Sequence, residues 1–77
     1  MSRLVFIQRL NELMSLPVGT IKGHEQLDSI KNWDSVALMS FIAFLNEEFE
    51  IRVNGKQVMQ CQNIEDLVLL AGDKVTP

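Results

Sequence analysis

Cysteine and histidine are nearly missing from this sequence. Cys61 is the only cysteine and His24 the only histidine among 77 residues, so no internal disulfide can form and no Cys/His spacing for zinc exists. A single free thiol fits a reducing compartment, and Cys61 reads as a small packing residue. Basic charge is also scarce: 7 Lys and Arg stand against 10 Asp and Glu, a formal net charge of −3. Nucleic-acid affinity rests mostly on clustered cations, so this balance argues against nucleic acid and points to basic protein surfaces as partners. No long apolar run is present. Leu4-Val5-Phe6-Ile7 is interrupted by Gln8 and Arg9 far short of a signal or membrane-spanning length, which predicts a soluble, cytoplasmic chain with no membrane insertion. There is no Gly-rich loop suited to a nucleotide, and no repeat, low-complexity tract or linker divides the sequence.

What is present suffices for one core. With 47% hydrophobic and 22% charged residues, residues 1–77 read as a single free-standing domain. A chain of this size buries only about 60% of the surface its unfolded form exposes. That leaves little room for an enclosed catalytic cleft, and no enzymatic activity of its own is expected.

From about Arg3 to Met14, Phe6, Leu10 and Leu13 recur at helical spacing with Ile7 and Met14 beside them, while Gln8, Arg9, Asn11 and Glu12 supply a polar side. Ser15-Leu16-Pro17-Val18-Gly19 ends this first helix, because proline disfavours helical geometry in the residue before it. A connection runs from Val18 to about Trp33, long for a compact domain. Ile21, Leu27, Ile30 and Trp33 can anchor it, so an ordered, packed loop is expected. A second helix begins near Ser35, where Leu38, Phe41, Ile42, Leu45 and Phe49 form the clearest apolar stripe in the chain. Asn46, Glu47, Glu48 and Glu50 crowd its end. Glutamates there oppose the helix dipole at about 0.3 to 1 kcal/mol each, so local helix stability does not explain them. Ile51 to Met59 has two readings, because Asn54-Gly55 between alternating apolar residues is also a hairpin signal, and the pattern alone leaves an α+β fold open. Asn63, with Asp66 at the reach-back position, caps a short last helix through Ile64, Leu67, Val68 and Leu70 that Gly72 terminates. The tail from Asp73 to Pro77 is expected to fray.

Few residues are left to carry chemistry. A nucleophilic serine needs a base and a group that orients it, and His24 lies in a polar stretch. Glu47, Glu48 and Glu50 read as a solvated or partner-facing patch. Trp33-Asp34-Ser35 remains, at the junction of loop and helix, followed by Val36-Ala37-Leu38-Met39. Simple N-capping accounts for either Asp34 or Ser35 at about 1 kcal/mol. Capping by Asp34 is compatible with Ser35 pointing outward for another purpose. Asp28-Ser29 is a second such pair, but Ile30-Lys31-Asn32-Trp33 after it starts no long amphipathic helix. Trp33 is either a loop anchor or a surface aromatic that meets a partner.

At these residues the chain resembles the acyl and peptidyl carrier protein family. The resemblance is carried by Asp34-Ser35-Val36, similar to the family's Asp-Ser-Leu-like attachment motif, and by Phe41 through Phe49 running into Asn46-Glu47-Glu48-Phe49-Glu50-Ile51. It extends across nearly the whole chain. It implies an all-α, acyl-carrier-protein-like four-helix bundle with a long loop between helices 1 and 2 and a short third helix near Lys56 to Met59, in place of a hairpin. It also implies that a separate phosphopantetheinyl transferase, using coenzyme A and magnesium, attaches 4′-phosphopantetheine to Ser35, with Asp34 as motif partner. Acyl-loading and acyl-processing enzymes would then use the arm as a thioester shuttle. A serine at a helix N-terminus suits this, because a phosphodiester there faces unpaired N–H groups and the positive dipole end. Val53, Val58 and Met59 are implied to border a site for the acyl chain.

The partner-docking face implied by the family comprises Val36, Ala37, Met39, Ser40, Ala43, Glu47 and Glu48. It departs from the pattern of many fatty-acid carriers, which place acids early in this helix, where Ala37 and Ser40 are uncharged here. Steering by charge then falls to Glu47, Glu48 and Glu50, and apolar contact gains weight. The departure favours a carrier for a specialised pathway, polyketide or modified-lipid synthesis, over one for general fatty-acid biosynthesis; a monomer is expected. Two other classes stay open: an unmodified helical adaptor that binds a partner through the apolar second-helix face, and a small hydrolase using Ser35 with His24.

Overall fold

Helix formation begins at Ser2, whose hydroxyl accepts a hydrogen bond from the Val5 N–H at 3.2 Å and so satisfies one of the orphan donors of the first turn. The computed structural model describes all 77 residues, and α1 runs over Arg3–Leu13. It ends where Ser15 turns into the left-handed region at φ 57°. The second helix, α2, spans Ser35–Phe49 with Asp34 as its N-cap, and stops at Glu50, left-handed at φ 58°. The Glu50 N–H returns to Asn46 O and the Ile51 N–H to Leu45 O, which closes the last turn. Two short helices follow, α3 over Gly55–Met59 and α4 over Ile64–Ala71. There is no strand; the chain is all-α, as the resemblance implied.

The Asn54-Gly55 pair opens a helix rather than a hairpin. Asn54 Oδ1 accepts from the Gln57 N–H at 2.8 Å, and Gln57 Oε1 accepts from the Asn54 N–H at 2.9 Å. This reciprocal capping box decides between the two readings. Asn63 caps α4 as expected, accepting from the Asp66 N–H at 2.9 Å. The Asp66 carboxylate reaches one residue further back than foreseen, to the Gln62 N–H at 2.9 Å.

Phe6 is fully buried and joins the two long helices. Its ring meets Phe41 edge-on at 6.2 Å, Phe44 at 5.5 Å and Phe49 at 6.4 Å. Phe44 lies outside the expected stripe yet belongs to the core. The long loop is ordered: Ile21 and Leu27 are buried, and Ile30 and Trp33 pack against the core. Buried Asn11 ties the loop to α1, donating to Ile7 O at 3.3 Å and accepting from the Ile21 N–H at 2.9 Å. Further along, Leu27 N–H bonds Gln62 O at 2.9 Å and Ile64 N–H bonds Glu25 O at 3.1 Å, so the loop is stitched to the start of α4. The tail, expected to fray, is instead held. Arg3 N–H donates to Thr76 O at 2.7 Å, Thr76 N–H to Met1 O at 2.9 Å, and the terminal ammonium to Lys74 O at 3.0 Å. These are mostly backbone bonds, which leave no mark in a side-chain pattern.

Candidate functional site

Three separate restraints fix the junction between loop and α2. Asn32 Nδ2 donates to Met14 O at 2.9 Å, which satisfies a carbonyl at the end of α1. The Trp33 N–H bonds Ile30 O at 3.1 Å, while the indole stands edge-on to Phe41 at 6.3 Å. Of its two readings, Trp33 therefore fulfils the anchoring one. Asp34 follows in extended geometry, φ −129° and ψ −172°, and its carboxylate accepts from the Ala37 N–H at 2.9 Å.

Ser35 is the first residue of α2. It is exposed, and its hydroxyl makes no hydrogen bond within the chain. Asp34 engages the Ala37 N–H, and Leu38 N–H bonds Asp34 O at 2.9 Å, so the Ser35 and Val36 amides are left without an acceptor. Two free N–H groups and the positive end of a 15-residue helix surround the hydroxyl. An anion attached there would meet donors and a favourable dipole.

The competing pair is disposed differently. Ser29 closes a single 3₁₀ turn, Leu27–Ser29, and its hydroxyl donates to Gln26 O at 2.7 Å. His24 is exposed and lines no groove with Ser35. Nearby Glu25 organises the loop by accepting from the backbone N–H groups of Lys22, Gly23 and His24 at 2.8, 2.9 and 3.1 Å. Burial pushes its carboxyl up, but the Lys22 and Gly23 donors and its own amide, with the His24 charge, hold it below the usual carboxylate value. Cys61 is half-buried with its thiol 3.7 Å from Gln57 O; burial, then the Asp66 charge, pushes the thiol up.

The expected partner face needs one correction. Ala37 is 3% exposed: Asp34 draws its amide in, and its methyl packs in the core. Val36 and Met39 are 71% and 63% exposed; Ala43, Glu47 and Glu48 are exposed and Ser40 half-buried. Glu48 is paired with Arg9 at 2.8 Å, and the Arg9 guanidinium lies 5.1 Å over the Phe44 ring. That contact gives one of the helix-end glutamates a structural reason the sequence did not show. Val53, Val58 and Met59 border no common groove; Val58 is fully buried and Met59 is 75% exposed. A groove that sequence reasoning missed lies between the loop and the α3–α4 connection, lined by Gln26, Leu27, Asp28, Trp33, Cys61 and Gln62. Its walls come from distant segments; Leu27, Asp28, Trp33 and Cys61 each stood out beforehand for other reasons, and no local pattern joined them.

A family model described as the phosphopantetheine attachment site matches residues 5–70. The chain belongs to this family. No curated protein and no solved structure matches it. Members of the phosphopantetheine family carry a covalent 4′-phosphopantetheine group, and this chain is a carrier of that kind. The residues at the start of α2 fit the group: one accessible hydroxyl, two unpartnered amides and a helix dipole suit a phosphodiester. No helix is long and apolar enough to cross a membrane.

Proposed function

We propose that this chain is an acyl carrier modified at Ser35, and that it presents acyl groups to partner enzymes without catalysing a reaction itself. The observation that carries the assignment is the exposed, unpartnered Ser35 hydroxyl at the first position of α2, inside the matched span. When bound, the group supplies a terminal thiol that holds acyl cargo as a thioester on a flexible tether. Ser35 provides the oxygen of the linkage, and its own amide and that of Val36 balance the phosphodiester charge. Asp34 keeps the first turn in register by capping Ala37. It also orients the motif for the transferase, whose reaction uses coenzyme A and magnesium.

Partner enzymes dock on Val36, Met39, Ser40, Ala43, Glu47 and Glu48. Exposed apolar Val36 and Met39 flank the site, while the acids lie near the far end of α2, and Glu48 is already engaged by Arg9. Apolar contact therefore dominates recognition close to Ser35, with charge setting approach and orientation. This division favours a dedicated pathway, polyketide or modified-lipid synthesis, over general fatty-acid synthesis. The carrier works as a monomer in the cytoplasm.

Intact-mass measurement tests the assignment. The protein is incubated with coenzyme A, magnesium and a broad-specificity phosphopantetheinyl transferase, beside Ser35→Ala and Ser29→Ala. Wild type and Ser29→Ala are expected to gain one phosphopantetheinyl group and Ser35→Ala none. No gain by wild type with several transferases would replace the carrier by the unmodified adaptor.

A further inference from the structure

The hydroxyl of Ser35 is placed by its backbone alone. It makes no hydrogen bond within the chain, so whatever holds the preceding residues decides where the oxygen stands. Two of those residues are tied to α2 itself: Asp34 caps Ala37, and the Trp33 indole lies edge-on to Phe41. The Trp33 N–H bonds Ile30 O inside the loop. Asn32 differs from both. Its Nδ2 donates to Met14 O at 2.9 Å, across 18 residues of sequence, and so reaches the end of α1.

That hydrogen bond crosses an open seam. The ring contacts between α1 and α2 run through Phe41, Phe44 and Phe49, all further along α2 than Ser35. At the near end a cleft of about 290 Å³ opens between the helices, with Leu13, Met14 and Ser15 on one side and Asp34, Val36 and Ala37 on the other. Asn32 lines the same cleft. The last carbonyls of a helix find no partner inside it, and α1 turns away at Ser15 in the left-handed region, so Met14 O is left for a donor from elsewhere. The end of α1 is itself fixed to the loop, since Asn11 accepts from the Ile21 N–H at 2.9 Å. Through Asn32, the residues before Ser35 are registered against that body.

We infer that Asn32 is a positioning residue for the attachment reaction: by holding the residues before Ser35 to the end of α1, it sets the direction from which the Ser35 hydroxyl meets coenzyme A on the transferase. The inference rests on the carrier reading above. In that reaction Ser35 Oγ bonds to the phosphorus nearest the pantetheine, and the bond from that phosphorus to the bridging oxygen breaks. Adenosine 3′,5′-diphosphate leaves, and the serine proton passes to a base of the transferase. Such a displacement needs the attacking oxygen in line with the departing one, and a misplacement of about 1 Å costs up to about 10²-fold. Asn32 is half-buried and lies outside the docking face. Its loss therefore lowers kcat and leaves KM for the carrier unchanged.

Transfer to the apo protein is followed at varied carrier concentration, with coenzyme A, magnesium and the broad-specificity transferase, for wild type, Asn32→Ala, Asn32→Asp and Val68→Ala. Asn32→Asp keeps the size of the side chain and removes the donor. Val68 is buried in α4, so Val68→Ala lowers stability without touching the junction. The expected result is a fall in kcat of about tenfold for both Asn32 variants with KM unchanged. Amide order parameters at Asp34 and Ser35 should fall with it. Val68→Ala should keep both kinetic constants of wild type despite a lower urea midpoint. An unchanged kcat in the Asn32 variants, or a rise in KM alone, overturns the positioning role and leaves the Ser35 assignment standing. An equal fall in kcat for Val68→Ala overturns it too, by tracing the defect to stability. Absence of a mass gain in wild type overturns the Ser35 assignment itself.

Discussion

Gly23 holds a backbone conformation that side-chain-bearing residues rarely adopt, φ 120°. A Cβ there would lie 2.8 Å from Ile7 Cδ1 and 3.0 Å from Arg3 Nη2. The same arginine donates to Gly23 O at 3.3 Å and pairs with Glu65 at 2.7 Å, so the glycine allows α1, the loop and α4 to meet. Gly23→Ala combines backbone strain with displacement of that arginine. A loss of about 1 to 3 kcal/mol is expected, read as a lower urea midpoint with an unchanged slope. No local pattern marked this position, because the requirement for positive φ arises from what packs above it and not from its neighbours in the chain. The Asp34-Ser35 junction was legible for the opposite reason: a cap followed by a long amphipathic stripe is a local pattern, and the resemblance to the carrier family singled out its serine.

Among the elements, one turn of the loop before α2 is gathered by a single carboxylate. Glu25 gathers three backbone N–H groups while its own carbonyl accepts from Ile64. Its folded-state value lies below the ordinary 4.5. A depressed carboxyl stabilises the fold above its unfolded value, and the contribution fades as pH falls from about 4.5 through the lower folded value. Thermal melting followed from pH 7 to pH 3 should show wild type losing its advantage over Glu25→Gln across that window; a constant gap would mean that the carboxylate does not organise the loop. The buried anchors of this loop, Ile21 and Leu27, were visible as isolated apolar residues in a polar stretch, but the carboxylate was not, since a glutamate in a loop normally signals only solvent. The long helices were readable from periodicity. Gly55–Met59 is too short to show any, and its identity was decided by Gln57 pairing back to Asn54. The held tail was not readable, because its pairing to residues 1–3 is made mainly by the backbone.

On the scale of the whole molecule, one ring sits at the centre of the contact between the two long helices. Phe6 projects from α1 against three phenylalanines of α2, so it helps hold the helix that begins at Ser35 against its neighbour. Truncating a buried phenylalanine to alanine costs about 3 to 5 kcal/mol. A domain has roughly 0.05 to 0.15 kcal/mol of stability per residue, so for a chain this short the loss is most of what is available. Phe6→Ala should therefore unfold at a much lower urea concentration, Phe6→Leu at an intermediate one, and Leu4→Ala, exposed on α1 away from the docking face, close to wild type. Phosphopantetheinyl transfer should fall in the same order, because the transferase meets Ser35 at the start of a formed helix. Repeating the transfer in trimethylamine N-oxide, which favours the compact state, separates the causes. Recovery by Phe6→Ala assigns its defect to folding, whereas a defect persisting in the refolded variant would mean that the transferase depends on Phe6 itself, in conflict with its complete burial.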